Sequence, residues 1–216
     1  VADQATMRNR RVEHPSGTFE TSMRLPAAER REQLLSVAIT VFAEKGFHNT
    51  SMNDVADAAG VTKPVLYQHF ASKRALYLEL LAEIGAELRD TIAKATADAA
   101  GPRQQINLGF VAYFEFVADH ADAFRVLFGD STRRDEEFAD EARRVESSIA
   151  ELAAEHINIE GLSWERRLLL GNGIVGLAEG SCRYLLPPSV EVDATTLAGE
   201  VSQLAWAGLR GIRSAP

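Results

Sequence analysis

Apolar residues recur along most of this chain at the three- and four-residue spacing of a buried helical face. Leu35, Ala38, Ile39 and Phe42 form one such stripe, which opens after Pro26 and closes at Gly46, a residue suited to a helix C-terminus. A second helix is predicted after Thr50-Ser51. Ser51 with Asp54 three residues on makes a capping box, and Val55, Ala56 and Ala59 supply the buried side. Gly60 then offers a positive-φ turn residue, and Thr62 stands as N-cap of a third helix with Pro64 in its first turn. The pattern breaks near Ala71-Ser72 and resumes through 73–99, about 40 Å of helix if unbroken at 1.5 Å per residue. Gly101-Pro102 ends it. Further helical stretches are predicted at 103–119, 121–129, 133–157, 163–185 and 194–212, the last two separated by Pro187-Pro188. Residues 1–24 lack periodicity and are expected to form a disordered arm.

The fold expected from this pattern is all-α: a small N-terminal three-helix bundle joined to a larger C-terminal helical domain. At 216 residues the chain is long enough for a sizeable core, and no uncharged run approaches a membrane span. The first 25 residues are polar and basic, without a secretory signal, so a cytoplasmic protein is expected. A single cysteine, Cys182, excludes an internal disulfide.

Charge sharpens the division. Residues 1–80 carry 10 Lys and Arg against 9 Asp and Glu, whereas residues 81–216 carry 13 against 22. Despite the net charge of −8, the N-terminal third can approach phosphate, and the acidic remainder should face away from it.

Two short helices joined by Ala59-Gly60-Val61-Thr62 make a helix-turn-helix pattern. At 100° per residue, Leu66 and Phe70 share a face that should pack on Phe42, Val55 and Ala59. Pro64, Val65 and Gln68 then point away, with Tyr67 and His69 on the flanks. Gln68 suits an adenine edge and Val65 a thymine methyl. Thr62, Lys63, Tyr67, His69 and Lys73 have groups suited to phosphate.

The run TSMNDVADAAGVTKPVLYQHF at 50–70, with FAEKGF at 42–47 upstream and Ser72-Lys73 downstream, resembles the DNA-binding signature of TetR/AcrR-type regulators. The resemblance spans about residues 27–80. It implies a DNA-binding transcription regulator, not an enzyme, with a helix-turn-helix domain at 25–72 and an effector-binding and dimerisation domain at 73–216. It carries DNA contact onto Thr50, Ser51, Asn53, Thr62, Lys63, Val65, Tyr67, Gln68, His69 and Lys73. The implied partners are double-stranded DNA with a palindromic operator, a small hydrophobic effector and a second copy of the chain.

Other signals carry less. The run GNGIVG at 171–176 satisfies G-x-G-x-x-G, with Glu191 20 residues after Gly171. A dinucleotide fold needs a preceding strand and further βαβ units, and the surroundings read as helix. Gly173, Gly176 and Gly180 are better read as sites of close helix approach. The histidines (His14, His48, His69, His120, His156) show no metal-ligand spacing, and no cofactor or catalytic constellation is implied.

Five of the ten phenylalanines fall between Phe110 and Phe128. Phe110, Tyr113 and Phe114 share one helical face, and Phe124, Leu127 and Phe128 another. These faces are either ordinary core or the wall of an effector pocket, where the resemblance places one; Cys182 is grouped with them as effector-binding. The stretches at 63–70, CRYL at 182–185 and AWAGL at 205–209 are similar to the branch of the family that regulates fatty-acid synthesis and answers to long-chain acyl-CoA. The alternative is a regulator of an efflux or catabolic gene responding to another hydrophobic ligand. The stretches 163–185 and 194–212, with Gly176, Gly180, Ala205 and Gly208, are expected to form a two-fold four-helix dimer interface.

Overall fold

The computed structural model describes residues 26–185 and 193–212. The arm at 1–24 and the Pro187-Pro188 break lie outside them. The described residues form ten helices and no strand: α1 (Ala27–Asn49), α2 (Met52–Ala58), α3 (Lys63–His69), α4 (Lys73–Thr96), α5 (Pro102–Asp119), α6 (Ala121–Phe128), α7 (Asp130–Arg134), α8 (Glu136–His156), α9 (Trp164–Leu185) and α10 (Ala194–Arg210). The all-α expectation holds. The stretch predicted at 133–157 divides, because Asp135 leaves helical geometry to cap α8 through its side chain on the Phe138 amide.

Gly46 adopts φ 73 near the end of α1, so the helix turns there before Phe47–Asn49 add a last turn. The freed carbonyls are taken by side chains: Thr50 Oγ1 donates to Gly46 O at 2.8 Å, and Asn49 Nδ2 to Lys45 O at 3.1 Å. Phe47 then turns inward and stacks edge-on against Tyr77 and Phe138, tying the end of α1 to α4 and α8.

In the body, α4 packs on α5 and α8, α8 on α9, and α5 on α10, while α6 lies on α1. Glycine allows two of these approaches. A Cβ at Gly85 would collide with Val145 of α8, and one at Gly171 with the Ala150 carbonyl of α8. Gly171 is therefore the close-approach residue of the glycine-rich run, whereas Gly173, Gly176 and Gly180 have nothing within 4 Å of a built Cβ. The expected close contact at those three is absent among the described residues. Ala205 also departs from expectation: it is buried with Leu197, Ala198 and Val201 on the inward face of α10.

Candidate nucleic-acid interface and ligand cavity

The reading head is assembled by local caps and one apolar seam. Ser51 Oγ accepts from the Asp54 amide and the Asp54 carboxylate accepts from the Ser51 amide, closing the predicted capping box. Lys45 also pairs with Asp54 at 2.5 Å. Its hydrogen bond, with those from Ser51, holds the Asp54 carboxyl well below its ordinary range. Gly60 takes φ 64 in the turn. Leu66 and Phe70 are buried with Phe42, Val55 and Ala59, so α3 is seated as its periodicity requires.

The opposite face of α3 is open. Lys63, Pro64, Tyr67 and Gln68 are exposed; Val65 and His69 are half-buried. Thr62 caps α3 through its backbone only, which leaves its hydroxyl unused by the cap. The Lys63 ammonium lies 5.9 Å from the centre of the Tyr67 ring. On α2, Asn53 and the N-cap Ser51 are exposed as well. Eight of the ten expected contact residues are thus exposed or half-exposed.

Two do not present themselves as expected. Thr50 is 2% exposed and its hydroxyl is bonded to Gly46 O. Lys73 donates to Phe47 O and Thr50 O, each at 2.7 Å, and stands 4.3 Å from the Phe47 ring centre. Two of its three donors are occupied, and burial lowers its pKa. It is a clasp across the α1–α2 junction before it is a phosphate ligand.

The body holds a cavity of about 390 Å³ bounded by α4, α5, α8, α9, α10 and the loop after α8. On α5 it follows a single stripe: Pro102, Gln105, Ile106, Gly109, Phe110 and Tyr113. That stripe is about 16 Å long at the helical rise. Exposure falls along it, from exposed Pro102 through half-buried Gln105 and Ile106 to buried Phe110 and Tyr113. The walls are chiefly apolar, including Ile92, Ile149, Leu152, Val175 and Ala178. Polar lining is concentrated at the outer end, where Gln105 bonds His156 Nδ1 at 3.1 Å and Asn158 and Arg210 lie. A polar cleft with Arg103, Asn107 and Ser202 adjoins it through the shared Trp206.

Of the residues expected to bind effector, Phe110 and Tyr113 line this cavity. Phe114, Phe124, Leu127 and Phe128 are buried without lining it; Phe124 and Phe128 pack on each other at 4.8 Å between centroids. They belong to ordinary core. Cys182 is likewise buried off the wall, and burial pushes its thiol up to about 12. The missed residues are Ile92 and Ile106, the C-terminal end of α10 and the α8–α9 loop, which no local motif marks. Among the described residues, no three His, Cys, Asp or Glu side chains converge for a metal, and no helix is long and apolar enough to cross a membrane.

A helix-turn-helix head with an exposed third helix, set on a larger helical body, defines a DNA-binding class of transcription regulator. Residues 34–80 match the model for bacterial regulatory proteins of the tetR family. Over 211 residues the chain is 32% identical to the HTH-type transcriptional activator FasR of Mycolicibacterium smegmatis, covering 97% of this chain and 96% of FasR. The protein belongs to the TetR family. Its fold is similar to a TetR-like regulator from Rhodococcus sp. RHA1, with a TM-score of 0.70 and 28% identity over 88% of this chain and all of the other. It also matches the fold of FadR from Bacillus subtilis, solved with stearoyl-CoA, with a TM-score of 0.69 at 19% identity over 82% of this chain and 98% of FadR.

Proposed function

We propose that this chain is a homodimeric transcription regulator whose affinity for a palindromic operator is set by an apolar effector held in the cavity of the body. Long-chain fatty acids or their CoA thioesters are the leading effector class. The observation that carries this reading is the polarity of the cavity: a chiefly apolar wall whose α5 stripe runs from exposed Pro102 to buried Tyr113, with Gln105 and His156 paired towards its outer end. An acyl chain satisfies the walls, and an anionic head would meet Arg210, His156 and the adjoining cleft with Arg103. The fold is one that accepts stearoyl-CoA in FadR. DNA contact is assigned to the exposed Ser51, Asn53, Thr62, Lys63, Tyr67 and Gln68 and the half-buried Val65 and His69.

The second reading, a regulator of an efflux or catabolic gene, is favoured by a wall on which, among the described residues, Arg210 is the only Lys, Arg, Asp or Glu. A neutral hydrophobic molecule fits such a wall equally well. Titrating fatty acids, acyl-CoAs and uncharged hydrophobic compounds against the protein–operator complex separates the two. An effector must bind the DNA-competent and incompetent states unequally to shift operator affinity at all, typically by about 5- to 150-fold. If no acyl compound shifts it, the lipid reading fails.

A further inference from the structure

Among the described residues the cavity stops together on four helices. Its wall runs inward as far as Ile92 on α4, Tyr113 on α5, Ile149 on α8 and Ala178 on α9. One turn further along each helix stand Leu88, Phe116, Val145 and Cys182, all buried and none of them on the wall. A glycine accounts for the closure between two of these helices. At Gly85, α4 comes so near α8 that a built Cβ would collide with the Val145 side chain, so no space continues between them there. The Tyr113 hydroxyl is wholly buried, so its ring closes the cavity without offering it a polar atom. Behind this floor the chemistry changes. Glu146 follows Val145 in the chain, and Glu179 follows Ala178 and pairs with Arg183 and Arg133 at 3.2 and 3.4 Å. A hydrocarbon end pushed past the floor would strip water and partners from those charges, which is costly.

We propose that this floor selects the effector by length, seating a straight acyl chain of about 10 to 14 carbons and no more. Ala178, a small side chain on the floor, is the residue that sets the limit. The inference rests on the reading of this cavity as an acyl-effector site and narrows it to chains shorter than the stearoyl group of the FadR complex. The wall on α5 from exposed Pro102 to buried Tyr113 covers about 16 Å by the helical rise. An extended zigzag advances about 1.2 Å per bond, since three backbone bonds of an extended polypeptide span at most about 3.6 Å. A head group level with Pro102 therefore leaves room for about 13 bonds, or 14 carbons. A head held one turn deeper, at the Gln105–His156 pair, leaves room for about 10 carbons. Each methylene seated against the wall raises affinity about 3- to 4-fold, and a methylene with no wall to meet adds nothing.

The test titrates saturated fatty acids from octanoic to stearic, each below its micelle concentration, into the full chain by calorimetry. Affinity should rise about 10-fold for every two carbons added, up to a maximum between decanoic and myristic acid. Palmitic and stearic acids should bind no more tightly than that maximum. Ala178→Leu, which thickens the floor, should move the maximum about two carbons shorter. Ala178→Val makes the same change more mildly and serves where the leucine variant fails to fold. Ala153→Leu, nearer the mouth on α8, should weaken every acid without moving the maximum. If affinity keeps rising through stearic acid while Ala153→Leu weakens binding, the floor is overturned and the cavity reading stands. Ala178 variants that melt as folded proteins yet keep the wild-type maximum overturn the assignment of Ala178 in the same way. If folded Ala153→Leu and Ala178→Leu both bind every acid as the wild type does, the cavity reading falls and this inference with it. No binding of any acid to the wild type overturns the acyl reading and the inference together.

Discussion

Lys73 and Gln68 lie five residues apart in sequence, yet the structure gives them opposite kinds of work. Gln68 is exposed on α3 with nothing to hold it, so Gln68→Ala should leave the fold intact and relax preference at one operator position by about 1–3 kcal/mol. Binding measured across single-position operator variants reads this directly. Lys73 clasps the Phe47 and Thr50 carbonyls, so Lys73→Ala should lower the melting temperature with little change in the salt slope. Lys63→Ala, at an exposed position, should instead lower that slope by about one. Asp54 adds a pH dependence. Its folded pKa lies below the ordinary 3.8, so its stabilisation is complete above that value and is lost as the pH falls below it. The melting-temperature gap between wild type and Asp54→Asn should be open at neutral pH and narrow through that acid range. In the body, Phe114→Ala and Phe128→Ala should act as core deletions, costing about 3–5 kcal/mol, rather than as ligand variants.

At the scale of elements, the short helix α7 is where head and body are fastened. Ser131 Oγ accepts from the Phe47 amide at the end of α1, at 3.3 Å. Thr132 joins the Tyr77 hydroxyl of α4 to the Val126 carbonyl of α6. Just beyond, Asp135 takes two hydrogen bonds from Arg74 of α4, and Glu137 takes another. Both acidic partners raise the Arg74 pKa. Defined bonds therefore connect α7 and the start of α8 to α1 and α4, a route by which a ligand-driven shift of α8 would reach the head. Arg74→Ala combined with Tyr77→Phe should reduce the effector-induced change in operator affinity, while ligand affinity of the free protein stays near wild type. Parallel titrations of ligand with and without operator measure that coupling free energy.

The whole molecule leaves one face unfinished. Leu169, Gly173, Gly176 and Gly180 fall at spacings of four, three and four on α9, and all are exposed; Leu204, Ala207 and Gly208 are exposed on α10. Leu169 and Leu204 are 70% and 62% exposed, large values for leucine. This is the face expected to meet a second copy, with two recognition helices about 34–36 Å apart for half-sites one turn apart. Leu169→Glu with Leu204→Glu should yield a folded monomer by sedimentation and a large loss of operator affinity. Gly171→Ala provides the contrast, since its methyl would meet the Ala150 backbone carbonyl within the chain. It should lower stability by about 1–3 kcal/mol or more without changing the oligomeric state.

What the sequence determined by itself was local. Helix periodicity, the Ser51–Asp54 capping box, the Gly46 and Gly60 turns and the outward face of α3 depend on residues within a few positions of one another, so spacing alone exposes them. The family resemblance at 50–70 was legible for the same reason. The cavity was decided by tertiary structure, because its wall draws single faces from five helices and a loop. Aromatic density between Phe110 and Phe128 marked burial correctly, but burial does not distinguish a filled core from a lined cavity. Nor could the sequence say which glycine of 171–180 touches a neighbour, since that depends on where the Ala150 carbonyl of another helix arrives. Lys73 makes the same point from the other side: a lysine looks free to meet phosphate until the fold brings two unsatisfied carbonyls within its reach.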